Sequence, residues 1–174
     1  LHTFMSDQAL SEAVAHFRAG EAESHRTGGK LWSVFATACD VSEERYLKLI
    51  VARLATYLQI PRYGEALVNV NGWDMDTLKS FRSAPIVAGM TGAIDSVASY
   101  AELAEIEKLI PKEWRPAAVG DAKTCAQRWL DQFNAGADGI IIHASTPEEF
   151  APVLDEYERI RPAELFVQRT NRPG

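Results

Sequence analysis

Cysteine is scarce in this sequence: Cys39 and Cys125 are the two among 174 residues. Two thiols build neither a disulfide framework nor a four-ligand zinc site, so the expectation is buried, reduced thiols in a reducing cytoplasm. Long hydrophobic runs are lacking as well. No apolar stretch approaches the roughly 18–20 residues that a membrane span needs, and no secretory leader is expected. Positive charge is short too. Lys and Arg number 18 against 24 Asp and Glu, for a net charge of −6 and a pI near 5.2. The basic residues are scattered, which excludes the basic face of a nucleic-acid binder and argues against an anionic membrane surface. No Asp/Glu/His grouping stands at ligand spacing, so no metal is expected.

What is present is ordinary globular material, 47% hydrophobic and 24% charged. A chain of this length buries roughly 70% of its unfolded surface and needs no staple to fold as one domain. Strands and helices alternate. Leu1-His2-Thr3-Phe4 reads as the end of a strand, followed by a helix capped at Ser6 with Leu10, Val14 and Phe17 on one face. Residues 31–39 (LWSVFATAC) read as a buried strand. A long helix starts near Ser42. Its apolar face (Tyr46, Leu47, Ile50, Leu54, Tyr57, Leu58) is widened by Leu49 and Val51, so more than one neighbour is expected, and Pro61 stops it. Further helices run from Asp74 to Arg82 and from Ser99, where Ser99 and Glu102 stand at capping-box spacing.

Gly120-Asp121 opens a helix with Cys125, Trp129 and Phe133 inside. Residues 137–143 (ADGIIIH) form a strand without alternation, so both of its faces are expected to be covered. Thr146-Pro147-Glu148-Glu149 starts a last helix whose buried face is expected at Phe150, Leu154, Tyr157 and Ile160. The tail from Pro162 is expected to be loose. There is an internal echo. An aliphatic-His step, a capped turn and a helix occur at Leu1-His2 and again at Ile142-His143. Repeated units of this kind imply a parallel sheet, in either a doubly wound fold or a barrel.

Three stretches taken in order, LHTFMSD, LWSVFATACD and VGDAKTCAQRWLDQFNAGADGIIIHASTPEEF, resemble the C-terminal part of luciferase-like monooxygenases, the bacterial luciferase superfamily of flavin- and deazaflavin-dependent oxidoreductases. The middle stretches YLQIPRYGEALVNVNGWDMDTLKSFR and ELAEIEKLIPKEW resemble a branch that pairs with the deazaflavin coenzyme F420. The resemblance implies an α/β fold: about the last three βα units of a (β/α)8 TIM barrel, in one partial-barrel domain over 1–174, with a mainly helical insertion over 40–120. A complete barrel takes about 250 residues. The first five strands, which in the family carry much of the ring pocket, have no counterpart here. The implied activity is hydride transfer or oxygen insertion on a small organic substrate, with FMN or reduced F420 as coenzyme in the complete enzyme. The implied partners are a second copy or an N-terminal half-barrel. Two rival expectations stand beside it: a catalytically silent half-barrel that self-associates, and another phosphate-binding βα barrel.

In βα barrels the active face lies at the C-terminal ends of the strands. That puts His2, Thr3, Thr37, Cys39, His143 and Ser145 near it. Thr3, His143 and Ser145 are the candidate cofactor-binding residues, as hydrogen-bonding partners of a ring edge. The plainer alternative is that the histidines serve neighbouring backbone carbonyls. Asn71 and Trp73 are the candidate substrate-binding residues, because an insertion after a strand emerges on the active face. Their plainer alternative is a turn at Asn71-Gly72 with Trp73 packed at a helix junction. No catalytic residue is assigned. The helix starts at Ser6, Asp121 and Thr146 attract anions in principle, but ordinary capping is the better expectation.

Overall fold

The computed structural model describes residues 1–163; the expected loose tail beyond Ala163 lies outside the described residues. Three strands form one parallel sheet in the order β2-β1-β3: β1 is Trp32–Cys39, β2 Ala118–Gly120 and β3 Gly139–His143. Trp32 to Ala36 register with Gly139 to His143, and Thr37 to Cys39 with Ala118 to Gly120. The two long apolar segments of the sequence are therefore neighbours pointing the same way.

One face of the sheet carries helix α9 (Ala122–Asn134) and helix α10 (Pro147–Ile160). Phe35, Cys39, Cys125, Trp129, Val153 and Tyr157 make the core there. Asp121 caps α9 through the Thr124 amide at 2.7 Å, and Thr146 with Glu149 forms a reciprocal capping box at the start of α10. Helix α1 (Asp7–Glu23), capped by Ser6, joins this layer through polar links. Arg128 grips the Asp7 carboxylate at 2.8 and 3.0 Å. Fully buried Gln132 donates to Asp7 and accepts from the Ser33 hydroxyl, which ties α1, α9 and β1 together with every buried amide group satisfied.

Between β1 and β2 the chain is helical: α2 (Glu43–Tyr46), a π-helical turn over Leu47–Ala52, α3 (Arg53–Gln59), α4 (Tyr63–Asn71), α5 (Met75–Ser83), α6 (Pro85–Ala88), α7 (Ile94–Val97) and α8 (Tyr100–Leu109). The π turn explains the over-wide apolar face seen in the sequence. Extra residues per turn bring Leu49, Ile50, Val51 and Ala52 inside together. They pack against α8, α4, α7 and Ala36 and Ala38 of β1 in a second core with Leu54, Leu58, Leu103 and Ile106. No described helix is long and apolar enough to cross a membrane.

Three expectations are corrected. Leu1–Phe4 is not a strand. It has no ladder partner, Phe4 sits at φ 61°, and the Leu1 ammonium donates to the Trp32 carbonyl at 2.8 Å. The short strand on that edge of β1 is Ala118–Gly120, which three residues of sequence could not announce. Strand β3 is not covered on both faces. Ile141 is 50% exposed, and Trp32, whose ring lies over Gly139 beside it, is 37% exposed. On α10 the expected Tyr157 is buried and Phe150 and Ile160 pack on the same core, but Leu154 is 44% exposed and Val153 takes its place inside.

Candidate functional site

Strand alternation separates the polar groups at the C-terminal ends of β1 and β3 into two sets. Thr37 and Cys39 turn toward α9. The Thr37 hydroxyl accepts from the Trp129 indole at 3.0 Å, and both Cys39 and Cys125 are buried thiols. Burial pushes Cys39 up and drives Cys125 to about 12, so neither supplies a thiolate near neutral pH. Ser145 donates its hydroxyl to the Thr37 carbonyl and closes the turn after β3. These groups are committed to the fold.

His143 belongs to the opposite face, with Ile141 and Trp32. Its Nδ1 is buried without a hydrogen-bond partner among the described residues. Burial first, then the charges of Arg53 and His2, hold its pKa below the ordinary value, so the ring is neutral at pH 7. The Thr3 hydroxyl is also buried and unpartnered, in a residue 4% exposed. Buried polar atoms are normally paired, so each of these orphans is a group that a ligand can pair. His2 Nδ1 lies 2.5 Å from the Thr3 carbonyl; a carbonyl only accepts, so Nδ1 carries the proton and Nε2 is left as the acceptor. The His2 ring stands edge-on to Tyr57 at 5.3 Å and Tyr63 at 4.9 Å.

Backbone strain falls at the same end. Phe4, Asp40 and Ala144 have positive φ values of 61°, 46° and 80°, and the last two directly follow β1 and β3. Such residues need surroundings that hold them, and they gather at functional sites.

Of the residues the sequence singled out, His143 ends β3 and Ser145 reaches this end of the sheet as a structural bridge, while His2 and Thr3 belong to the first segment, whose Leu1 meets Trp32 at the start of β1. Asn71 and Trp73 serve the fold. Asn71 accepts from the Ser6 amide at 2.6 Å and donates to the Phe4 and Leu67 carbonyls at 3.0 and 2.9 Å, which fixes the first residues against α4. Trp73 stacks on Trp114 at 4.8 Å and packs on the helical core. Arg53, Tyr57 and Tyr63 were missed. Arg53 and Tyr57 are four apart and so share one face of α3, a spacing the sequence did display. Arg53 pairs with Asp95 at 2.8 Å. The caps at Ser6, Asp121 and Thr146 are all filled by their own side chains, so ordinary capping accounts for those helix starts. Among the described residues no group of three or more His, Cys, Asp or Glu is placed to hold a metal.

Comparison with family models, with curated proteins and with solved structures gives no match to this chain.

Proposed function

We propose that this chain is the C-terminal part of a (β/α)8 barrel oxidoreductase of the luciferase-like kind, acting on a small organic substrate with FMN or the reduced deazaflavin as coenzyme. The observation that carries this reading is the parallel β1–β3 pair, helix-covered on one face, with an unpartnered polar atom, His143 Nδ1, in the last residue of β3.

A coenzyme ring edge offers both donors and acceptors, which either orphan atom can meet. Thr3 donates or accepts, and neutral His143 does either according to its tautomer. When bound, the coenzyme supplies the hydride or oxygen chemistry, and the chain orients it. The buried thiols fit a cytoplasmic location. The test is titration of the purified chain with FMN and with the deazaflavin, followed by quenching of coenzyme fluorescence. Saturable quenching that His143→Ala and Thr3→Ala each weaken by about tenfold, roughly one neutral hydrogen bond, supports the assignment. Absence of saturable quenching by either coenzyme overturns binding by this chain.

The open strip of Trp32 and Ile141 favours a second reading, a catalytically silent half-barrel that covers this strip with another copy. Sedimentation velocity distinguishes it: a concentration-dependent dimer that Ile141→Lys dissolves supports it, and a monomer at all concentrations rejects it.

A further inference from the structure

Two adjoining cavities, of about 340 and 370 Å³, lie at β2, an edge strand of the sheet, and share Tyr46 and Val119 as walls. The coenzyme reading uses neither. The charged walls of the first are Lys112, Arg115 and Arg128 against Glu107. Those of the second are Asp40 and Glu43, with no cation beside them. Arg128 is already held by Asp7 and Asp131, so Lys112 and Arg115 against Glu107 leave the first cavity with a surplus of positive charge. Among the described residues Lys112, Asp40 and Glu43 have no ion-pair partner.

Arg115 is held by one corner of its guanidinium. Nη1 donates to Glu107 and, at 2.9 Å, to the Tyr46 hydroxyl. Nε is buried without a partner among the described residues, and Nη2 makes no hydrogen bond there either. The side chain is 12% exposed. The unused Nε–Nη2 side is a planar fork of two N–H donors, the geometry that meets two oxygens of one oxyanion. Across the shared wall Asp40 is fixed in place, with its amide donating to the Gly120 carbonyl at 2.9 Å.

We propose that the paired cavities bind a phosphate monoester whose body carries a protonated amine, with the phosphate against Arg115 and Lys112 and the ammonium against Asp40 and Glu43. A phosphate monoester near neutral pH carries close to two negative charges, which answer Arg115 and Lys112 together. The buried Nε then acquires the partner it lacks. Ionised carboxylates only accept hydrogen bonds, so the second cavity repels an anionic body and favours an ammonium. Val119, 41% exposed at the shared wall, gives the hydrocarbon between the two charges a surface to lie on.

Calorimetric titration of the chain with aminobutyl phosphate, butyl phosphate and butylamine tests this. Aminobutyl phosphate is expected to bind at least about tenfold more tightly than either comparator, each of which lacks one charged contact. Arg115→Gln is expected to weaken both phosphates by about tenfold or more and to leave butylamine unchanged. Asp40→Asn, a residue that tolerates the φ of 46° at this position, is expected to weaken aminobutyl phosphate by about tenfold and to leave butyl phosphate no weaker. If Arg115→Gln fails to fold by circular dichroism, Lys112→Gln, at an exposed position, replaces it with the same expectation. Aminobutyl phosphate binding no tighter than its comparators, or unaffected by these substitutions, overturns the proposal. The same titration with FMN in excess separates this site from the coenzyme's. An unchanged affinity supports the proposal, whether or not FMN binds elsewhere; competition assigns the phosphate half to the coenzyme and overturns it.

Discussion

His143 is a base that folding makes weaker. Burial contributes most, followed by Arg53 and His2. A base with a depressed folded pKa binds fewer protons in the native state than in the unfolded chain, so native stability rises with pH through this group. Its contribution is complete above the ordinary histidine value near 6.5 and is lost as pH falls below it toward the depressed value. His143→Gln, neutral throughout, is expected to flatten the fall in Tm between about pH 7 and 5, as measured by thermal melts in matched buffers. The two thiols show the same physics with the opposite charge. With Cys125 driven to about 12 and Cys39 also raised, native protein is expected to react with a disulfide reagent at pH 8 at least about 100-fold more slowly than unfolded protein, and loss of that protection on denaturation is the check.

Among the elements, the exit from α9 and the run of α1 make opposite demands on glycine. Gly136 has φ +103°, and a Cβ there meets Val14 Cγ1 at 2.7 Å, so the turn from α9 into β3 needs both the missing side chain and the conformational freedom. Gly136→Ala is expected to cost about 1–3 kcal/mol in urea unfolding, through strain and the displacement of α1. Gly20 sits inside α1 with nothing within 4 Å of an added Cβ. Gly20→Ala is expected to stabilise by about 0.5–1 kcal/mol, because alanine loses less backbone entropy in a helix. Much of the element plan was legible. The caps at Ser6, Asp74, Ser99 and Thr146 stand where the sequence placed them, because capping chemistry is local. The π turn and the three-residue β2 were not legible. Both are decided by what packs around them and leave no periodicity of their own.

At the scale of the whole molecule, two cores share one strand. Phe35 and Cys39 of β1 face the layer of α9 and α10, while Ala36 and Ala38 face the helices that follow β1. Loss of either core exposes β1, so the two are expected to unfold together. Ile106→Ala, in the helical core, is expected to lower stability by about 2–5 kcal/mol. The exposure of Cys39 and Cys125, both in the other core, to a disulfide reagent is expected at the same lower midpoint as the loss of far-UV circular dichroism; separate midpoints would show two independent units. Glu149 adds a link across the molecule. It completes the capping box of α10 and accepts from Arg45 of α2 at 2.7 and 2.9 Å, which clamps the helical segment over the C-terminal end of the sheet.

The sequence by itself determined the elements whose signals are local: the two long strands, the caps and the inner face of α9. Capping hydrogen bonds and side-chain periodicity act within a few residues and survive any tertiary arrangement. Tertiary structure alone decided the ligand-facing groups. It paired Asn71 with Ser6, 65 residues away, and so assigned to the fold a residue that looked free. It brought Tyr57 of α3 to His2, and left Thr3 and His143 each with an unpartnered buried atom. Whether a polar atom finds a partner depends on chain segments far away in sequence, and that information exists only once the chain has closed on itself.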